Sequence, residues 1–481
     1  MKRLTGDAEL EELSLDAGII KLRPLIGYIA GSEAEVSTVV REALSKGLAL
    51  TPRGGGTSIP SQSVGRGIIL MQERQETDLT GAGDVTCTPA VVKWDLNKRL
   101  DAAGRWMPVD PSSYRSCTVG GMVSNNSSGI RTPKYGSTVD YVKSIRAIVP
   151  GEDPRLLEPM PLESALAADP KTKKIASLLA ENQKTIKEEA PKVTKNSSGY
   201  RLERVIHDGL FDLPKLFAGS EGTLGVLTQV TFGTMVRPPG RVLLIVEAEL
   251  GSLGSIVSAF RELLPTAIEL VDKSVFTRMG RSESLAKYSR TEDEYLIFCE
   301  FDGTYQETDA KVEDVASSKA GAFDPMVLTS LSDIAAAWEV RNETLTLAMQ
   351  IRSGGKVLLP GVEDLAVPPD RLPDLVALLR GQFERRGLTY ISYGHAADAN
   401  LHARPLLDPS STSDMKILDE IMEESFEAVW KMGGSMTGEH GDGMLRARFL
   451  SRQYPRTYHL MKEVKETYDP KGIMNPGVKI L

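Results

Sequence analysis

The sequence predicts an α+β protein built from two main structural units. With 481 residues, the chain is too long for one typical hydrophobic core. Strand-like and helix-like segments alternate in its first part. After the Pro/Gly-rich residues 235–240, MVRPPG, the pattern changes to that of helices packed on an antiparallel sheet.

The N-terminal part predicts short strands separated by helices. Residues 33–47, EAEVSTVVREALSKG, place apolar residues at helical spacing and end in glycine, which predicts a helix with a glycine C-cap. Residues 48–52 and 67–72 predict buried strands on either side of the glycine run RGGGTS, residues 53–58. Residues 85–104 predict a strand followed by a helix.

Residues 109–149 are crowded with Gly, Ser, Asn and Thr, and we predict no helix in them. Two glycine pairs with interspersed hydroxyls indicate backbone held close to a ligand. The Lys/Glu-rich residues 160–198 predict solvated helices, and residues 216–232 predict a glycine turn leading into a strand.

The C-terminal half predicts an antiparallel layer and a returning tail. Its strands are expected at 242–250 and 294–301, and its helices at 255–264 and 374–387. The Pro/Gly-rich residues 467–481 have little to form a core and are expected to pack back onto another domain. The predicted boundaries are 1–236 for the first domain, 237–450 for the second and 451–481 for the tail.

Composition excludes several classes of protein. The net charge of −8 argues against a nucleic-acid binder, and no apolar run reaches the length of a transmembrane helix. Cys87, Cys117 and Cys299 are odd in number and far apart, so we expect no disulfide framework, zinc knuckle or iron–sulfur cluster. We expect a cytoplasmic location, or one on the cytoplasmic face of a membrane complex.

Three of the five histidines lie in two short polar stretches. His395 and His402 flank HAADANLH, which suits two strand ends joined by a turn, and Glu439 and His440 lie in GEHGDG. Two histidines and a carboxylate suit zinc or manganese with open positions. The alternative is a set of satisfied surface histidines.

The glycine run RGGGTS is neither a Walker loop nor a Rossmann fingerprint. Consecutive glycines allow backbone amides to approach a pyrophosphate, but an ordinary tight turn explains them equally well.

The order of four motifs removes this ambiguity. PRGGGTS is followed by residues 110–142, DPSSYRSCTVGGMVSNNSSGIRTPKYGSTVDYV, then by GSEGTLGV at 219–226 and DPKGIMNPG at 469–477. From about Ile29 to the C-terminus the chain resembles the FAD-linked oxidoreductases of the vanillyl-alcohol oxidase type.

The resemblance implies a two-part FAD-binding domain of the p-cresol methylhydroxylase (PCMH) type, a cap domain with an antiparallel sheet, and a tail that returns to the FAD domain. Thr57 stands where covalent members usually carry histidine, which implies non-covalent FAD. The residues implied to bind FAD are Arg53, Gly54, Gly55, Gly56, Thr57, Ser58, Pro111, Thr118, Gly120, Gly121, Ser124, Asn125, Asn126, Ser128, Gly129, Glu221, Gly222, Gly225, Val226 and Asn475.

GHAADANLH and GEHGDG further resemble the signatures of flavin-dependent D-2-hydroxyacid dehydrogenases, which act on D-lactate, glycolate or D-2-hydroxyglutarate. The resemblance implies that His395, His402 and Glu439 bind zinc or manganese and that His440 is the general base. Arg341 would pair with the substrate carboxylate, with Lys356 and Arg404 as weaker candidates. Ala-Asp-Ala-Asn replaces the common Gly-Asp-Gly-Asn, which leaves the substrate preference open.

The expected reaction is oxidation of a D-2-hydroxyacid, first of all D-lactate, with hydride transfer to flavin N5. An iron–sulfur subunit, an electron-transfer flavoprotein or a quinone-linked protein would then take the electrons, and O2 stays open as an acceptor. The alternatives are glycolate or D-2-hydroxyglutarate as substrate, a synthase of the alkyl-dihydroxyacetonephosphate type without net redox, and an electron-relay subunit.

Overall fold

A computed structural model describes residues 1–81, 83–348 and 350–481. In chain order the strands are β1 Lys2–Leu4, β2 Ile26–Ala30, β3 Leu50–Pro52, β4 Ile68–Gln72, β5 Thr77–Leu79, β6 Asp84–Cys87, β7 Arg105–Trp106, β8 Val142–Ile148, β9 Arg155–Leu157, β10 Pro159–Pro161, β11 Ile206–His207, β12 Leu210–Asp212, β13 Val226–Gly233, β14 Met235–Val236, β15 Gly240–Ala248, β16 Ala267–Asp272, β17 Tyr295–Gly303, β18 Met326–Leu328, β19 Arg352–Ser353, β20 Lys356–Leu358, β21 Leu365–Ala366, β22 Tyr390–His395 and β23 Asn400–Leu407.

The α-helices are α1 Asp7–Leu13, α2 Glu33–Lys46, α3 Lys93–Asp101, α4 Val119–Asn125, α5 Thr132–Tyr135, α6 Leu162–Leu166, α7 Pro170–Glu181, α8 Gln183–Glu189, α9 Leu213–Phe217, α10 Leu250–Arg261, α11 Ser274–Arg278, α12 Tyr305–Ser317, α13 Leu331–Ala348, α14 Leu372–Glu384, α15 Thr412–Lys431, α16 Gly443–Arg446, α17 Leu450–Gln453 and α18 Tyr458–Tyr468.

The first unit contains the three-stranded sheet β10-β12-β11 and the pair β14-β7 beside two larger sheets. One has the order β1-β2-β4-β3, with β2, β4 and β3 parallel, and the other has the antiparallel order β5-β6-β13-β8-β9. The predicted helix at 33–47 is confirmed as α2, and Gly47 caps it at φ 61°. The tail returns to this unit as expected, because Met474 forms a parallel bridge with Leu50.

The prediction that residues 109–149 contain no helix is wrong. Thr118 begins α4 by accepting a hydrogen bond from the Gly121 N–H at 3.2 Å, and Asn126 ends it in the left-handed conformation at φ 50°. Buried Val119, Met122 and Val123 anchor the helix, so packing outweighs the poor helix propensity of its glycine pair.

The predicted helices within 160–198 are confirmed as α6, α7 and α8, but the segment is not simply solvated. Ile175, Ala176 and Leu179 of α7 are buried, and residues 195–200 are buried throughout. This matters for the site, because the buried end carries a lysine.

The second unit is built on a sheet with the order β18-β15-β17-β16-β22-β23-β20-β19, to which β21 adds through β23. Its pairs are antiparallel, as expected. Leu244 and Val246 of β15 face one apolar core, while Leu243 and Ile245 face another. Both faces are therefore covered, which explains why these strands are apolar at consecutive positions.

Among the described helices, none combines the length and apolarity needed to cross a bilayer.

Candidate active site

A long cleft in the first unit collects most of the predicted cofactor residues. One part, of about 860 Å³, runs between the glycine loop and the Glu221–Val226 segment. A second part, of about 720 Å³, shares Gly54, Ser58, Thr118 and Gly121 with the first and ends at Glu439 and His440. The cleft thus joins the predicted cofactor loops to the histidine stretch.

The glycine loop lies so close to residues 116–121 that side chains would not fit. A Cβ on Gly55 would lie 2.3 Å from the Ser116 carbonyl oxygen, and one on Gly54 would lie 2.5 Å from Thr118 Oγ1. No described residue accepts a hydrogen bond from the backbone N–H groups of residues 54–58. A row of unsatisfied N–H groups beside a cleft suits a pyrophosphate, so these residues fit FAD.

Two residues that bear on the attachment of FAD line the cleft. Thr57 stands where the resemblance implies a histidine in covalent members. Cys117 lines the same part of the cleft, but burial raises the pKa of its thiol to about 11, which disfavours the reactive thiolate.

Three of the residues predicted to bind FAD do not line the cleft. Asn126 is buried, and its Oδ1 accepts from the Val139 N–H at 2.9 Å. Gly129 packs on Asp110, and Asn475 donates to the carbonyls of Gln62 and Glu221 at 2.8 and 2.7 Å. We therefore assign these three residues to loop support and not to FAD contact.

A second buried residue of the tail supports the same region. Lys479 Nζ lies 2.7 Å from Asp442 Oδ2 and 2.8 Å from Glu221 Oε1, and its side chain is fully buried. It also donates to the carbonyls of Ser197 and Gly199 at 3.2 and 2.9 Å. Lys479 thus joins the segments around residues 197–199, 221 and 442.

The three histidines converge on one carboxylate oxygen. His395 and His402 lie on the hairpin β22–β23, where the register Tyr393↔His402 and His395↔Asn400 brings both rings to one place. Their Nε2 atoms lie 3.1 and 3.3 Å from Glu439 Oε1, and Nε2 of His440 lies 3.7 Å from it. The sequence prediction that the two stretches share one site agrees with this geometry.

Two of the three imidazoles have a hydrogen-bond partner at Nδ1. His395 Nδ1 lies 2.7 Å from Glu269 Oε1 and His402 Nδ1 hydrogen-bonds the Glu363 carbonyl, whereas His440 Nδ1 lies 3.4 Å from Glu363 Oε1 and makes no hydrogen bond with any described residue. The first two contacts orient their Nε2 atoms toward a common point, as the supporting residues of metal-binding histidines do.

Glu439 is held by both units. Its Oε2 accepts from Ser128 Oγ at 3.1 Å and from Lys195 Nζ at 3.0 Å. Its backbone carbonyl accepts from Asn125 Nδ2 at 2.7 Å. Ser128 and Asn125, which were predicted to bind the cofactor, therefore also hold the histidine site against the cleft.

The group whose possible ligand atoms all lie within 4.8 Å of one another differs from the predicted set. It comprises Asp364, His402, Glu439 and His440 among the described residues. Asp364 already accepts from the N–H groups of Glu439 and His440 and from Thr437 and Asn400 side chains. We therefore infer that Asp364 anchors the loop, and we keep His395 in the proposed ligand set.

The charges around the histidines favour a cation. Five carboxylates of the described residues meet four fixed cations there, and all except half-buried Glu439 are buried. The carboxylates are Glu269, Glu363, Asp364, Asp398 and Glu439, and the cations are Lys195, Arg341, Arg404 and Arg446. The residues present thus fit a divalent metal in both ligand type and charge.

The surroundings of the three histidines shift their pKa values in different directions. Burial disfavours the imidazolium of His395, but the charge of Glu269 outweighs this and raises its pKa to about 9. Burial lowers the pKa of His402. The pKa of His440 is raised because the charge of Asp364 and contact with Glu363 outweigh its burial. A metal ion would therefore displace a proton from His395.

The three predicted substrate residues have different positions. Arg341 on α13 reaches the site, but its Nε and Nη2 both pair with Glu269 Oε2, at 3.0 and 2.5 Å. Arg404 is buried two residues after His402 on β23. Lys356 does not join the cluster: it lies on β20 opposite the far end of β23, half exposed, 3.7 Å from Asp414.

Sequence reasoning missed Lys195, Glu269, Glu363, Asp364 and Asp398. Asp398 lies between the two hairpin histidines, so its neighbours could have drawn attention to it. The other four lie far from the three site histidines in the chain and carry no local signal that separates them from surface charges.

Comparison with known proteins agrees with this architecture. Residues 24–153 match the family "FAD binding domain" and residues 240–478 match "FAD linked oxidases, C-terminal domain". Among solved structures, 4-ethylphenol oxidase from Gulosibacter chungangensis superposes with a TM-score of 0.71 at 13% identity, covering 99% of this chain and 94% of that chain. An alkyldihydroxyacetonephosphate synthase superposes with a TM-score of 0.67 at 17% identity, covering 95% and 77%. These two likenesses concern the fold alone.

The chain therefore combines an FAD-binding domain with the C-terminal domain of FAD-linked oxidases. It is similar to enzymes named for D-2-hydroxyacids. It is 28% identical to the D-2-hydroxyglutarate dehydrogenase of Escherichia coli (strain K12) over 98% of this chain and 50% of that protein. It is also 28% identical to the D-lactate dehydrogenase of Archaeoglobus fulgidus over 92% and 88%. The chain spans about half the length of the E. coli relative.

Proposed function

We propose that the protein oxidises a D-2-hydroxyacid, with D-lactate as first candidate, to the 2-oxoacid, using non-covalent FAD and a divalent metal, zinc or manganese. The observation that carries the proposal is the convergence of three imidazole Nε2 atoms on Glu439 Oε1, at the end of the cleft that the glycine loop lines. When bound, FAD supplies a hydride acceptor and the metal lowers the pKa of the substrate hydroxyl.

His440 is the residue that we assign to take the hydroxyl proton. It lines the cleft together with Glu439, and its ring stacks on that of His402 with a centroid distance of 5.0 Å. Glu363 and Asp364, 3.4 and 3.9 Å from Nδ1, stabilise the imidazolium that forms when Nε2 accepts the proton. The role requires a neutral imidazole at the start of the reaction.

Arg341 is the residue that we assign to the substrate carboxylate. The sequence favoured a bidentate pair, but Glu269 occupies Nε and Nη2. This leaves Nη1 for one carboxylate oxygen, so we expect a single charge-assisted hydrogen bond. Glu269 also holds His395, and one carboxylate therefore orients both the substrate arginine and a proposed metal ligand.

A separate protein would take the electrons from the flavin. The three cysteines are free and buried, and they lie on β6, just before α4 and on β17, which does not suit a metal cluster in this chain. The acceptor classes that we propose are an iron–sulfur subunit, an electron-transfer flavoprotein or a quinone-linked protein.

A second substrate, D-2-hydroxyglutarate, is favoured by the position of Arg404. Tyr393 lies opposite His402 on the hairpin, and Arg341 lies 6.0 Å from its ring. Burial raises the pKa of Tyr393, and Arg404 and Arg341 are both near enough to oppose that rise. Two buried guanidinium groups near one ring suit a substrate with two carboxylates. Arg404→Met should raise KM for D-2-hydroxyglutarate about tenfold or more and leave KM for D-lactate unchanged, if a charge-assisted contact worth about 1.5–3 kcal/mol is lost.

The test is anaerobic visible absorbance of the yellow protein mixed separately with D-lactate, L-lactate, glycolate and D-2-hydroxyglutarate. We expect one D-acid or glycolate to bleach the flavin in wild type and in the control His459→Ala, since His459 is exposed. His440→Ala should keep its FAD spectrum but bleach at least 100-fold more slowly, in the range usual for loss of a general base. Bleaching of His440→Ala at the wild-type rate would contradict the assignment.

A further inference from the structure

A buried lysine occupies the side of Glu439 that faces away from the histidines. Lys195 follows α8, and two backbone hydrogen bonds hold its segment against residues 433–437. The Lys192 N–H donates to the Gly433 carbonyl, and the Ser197 N–H donates to the Thr437 carbonyl. The side chain of Lys195 is fully buried, with Nζ 3.0 Å from Glu439 Oε2. The position of this ammonium group is therefore set by two backbone contacts on either side of it.

The two oxygens of Glu439 have different surroundings. Oε1 faces His395 and His402 at 3.1 and 3.3 Å, while Oε2 faces Lys195 and Ser128. A divalent ion bound by the imidazoles would therefore lie on one side of the Glu439 carboxylate, and the Lys195 ammonium group lies on the other. Because both are positive and buried, each weakens the binding of the other.

A second carboxylate lies within reach of the same ammonium group. Asp398 Oδ2 is 3.9 Å from Lys195 Nζ, which is too long for a hydrogen bond. Asp398 is fully buried at the turn between β22 and β23, and neither of its oxygens accepts a hydrogen bond from any described residue. Lys195 itself donates only to Glu439 among the described residues, although an ammonium group has three donors.

We propose that Lys195 is the counter-ion of Glu439 in the metal-free protein and that Asp398 receives its ammonium group when a divalent cation binds. Lys195 and Asp398 are then positioning residues that set the metal affinity without contacting the metal. The proposal rests on the metal site of the proposed function. A shift of about an ångström along the flexible lysine side chain would exchange the contact at 3.0 Å for the one at 3.9 Å.

The two residues should have opposite effects. Lys195→Met removes the competing charge and should tighten Mn²⁺ binding about 10-fold to 100-fold, the range found for residues that support metal ligands. Asp398→Asn removes the receiving carboxylate and should weaken Mn²⁺ binding by a similar factor. If Asp398 acts through Lys195, the Asp398→Asn change should have little effect in the Lys195→Met background.

The experiment is calorimetric titration of chelator-treated, FAD-loaded protein with MnCl2. The proteins are wild type, the two single variants, the double variant and the control Lys192→Met, which removes an exposed lysine of the same segment. Retention of the flavin spectrum reports folding of each variant. No described residue donates a hydrogen bond to the Asp398 side chain, so Asp398→Asn should stay folded. It can therefore test the proposal even if Lys195→Met fails to fold.

The outcomes separate this proposal from the proposed function. The proposal would be supported if Lys195→Met bound Mn²⁺ more tightly and Asp398→Asn bound it more weakly. It also requires that Asp398→Asn has no further effect in the double variant. Weaker binding by Lys195→Met, or an equal effect of Asp398→Asn in both backgrounds, would overturn it while leaving the metal site in place. Absence of Mn²⁺ binding by wild type, with Zn²⁺ also failing, would overturn both the metal site and this inference.

Discussion

Lys479→Met tests whether the C-terminal tail holds the cleft together through charge. Methionine keeps much of the length of lysine but removes the ammonium group that contacts Asp442 at 2.7 Å and Glu221 at 2.8 Å. Both carboxylates are almost fully buried. Removing one partner of a buried ion pair leaves an uncompensated charge and costs about 3–5 kcal/mol.

The cost should appear both in stability and in cofactor retention. Glu221 accepts hydrogen bonds from the N–H groups of Asp442 and Gly443, both at 2.8 Å, and its segment lines the cleft. We expect a loss of about 3–5 kcal/mol in the free energy of unfolding by urea. We also expect flavin to dissociate at lower urea concentration than in wild type.

The control is Lys471→Met, which changes the same tail at an exposed lysine. Surface substitutions usually stay within about 0.5 kcal/mol of wild type. If Lys479→Met were as stable as Lys471→Met and retained FAD equally well, the buried pair would not be holding these loops and the reasoning would fail.

Three further predictions test other parts of the structure. Burial opposes ionisation of Glu247, but Lys273 at 2.6 Å and nearby N–H groups lower its pKa from 4.5 to about 2. The stabilisation by ionised Glu247 is therefore complete above pH 4.5 and fades toward pH 2. Urea denaturation should show Glu247→Gln less stable than wild type at pH 7, and the difference should shrink below pH 4.5. A difference that stays constant with pH would contradict this. Gly55→Ala should cost about 1–3 kcal/mol through its clash with Ser116 and release FAD in gel filtration. Gly251 has open space around it, so Gly251→Ala should neither destabilise the protein nor release FAD. Equal behaviour of the two variants would refute the close approach of Gly55 to Ser116. Lys356→Met should bleach with substrate at the wild-type rate, and slower bleaching would restore its predicted role.

Much of the fold could be predicted because its signals are local. The helix α2 and its Gly47 cap, the strands β3 and β4, and the return of the tail follow from periodicity and from glycine and proline positions. Helix α4 could not, because Gly120 and Gly121 argue against a helix, and only burial of its apolar side chains and the Thr118 cap overcome that preference. The domain boundaries at 236 and 450 stay predictions.

The candidate site likewise has features that the sequence predicts and features that it does not. The sequence by itself indicated which chemistry is available, because the order of its glycine and histidine motifs resembles that of flavin-dependent D-2-hydroxyacid dehydrogenases. It also indicated that His395 and His402 share a hairpin, since a turn between two strand ends is a local event. The roles assigned to these residues stay proposals.

Only the tertiary structure decided which charges accompany that chemistry. Lys195, Glu269 and Glu363 come from separate parts of the chain and meet at the histidines through packing. In the sequence they look like ordinary solvated charges, so Lys356 was named as a candidate for the site and Lys195 was not. Burial and counter-charge decide whether a lysine or a glutamate can act in a site. They depend on contacts between residues far apart in the chain, which local patterns do not encode.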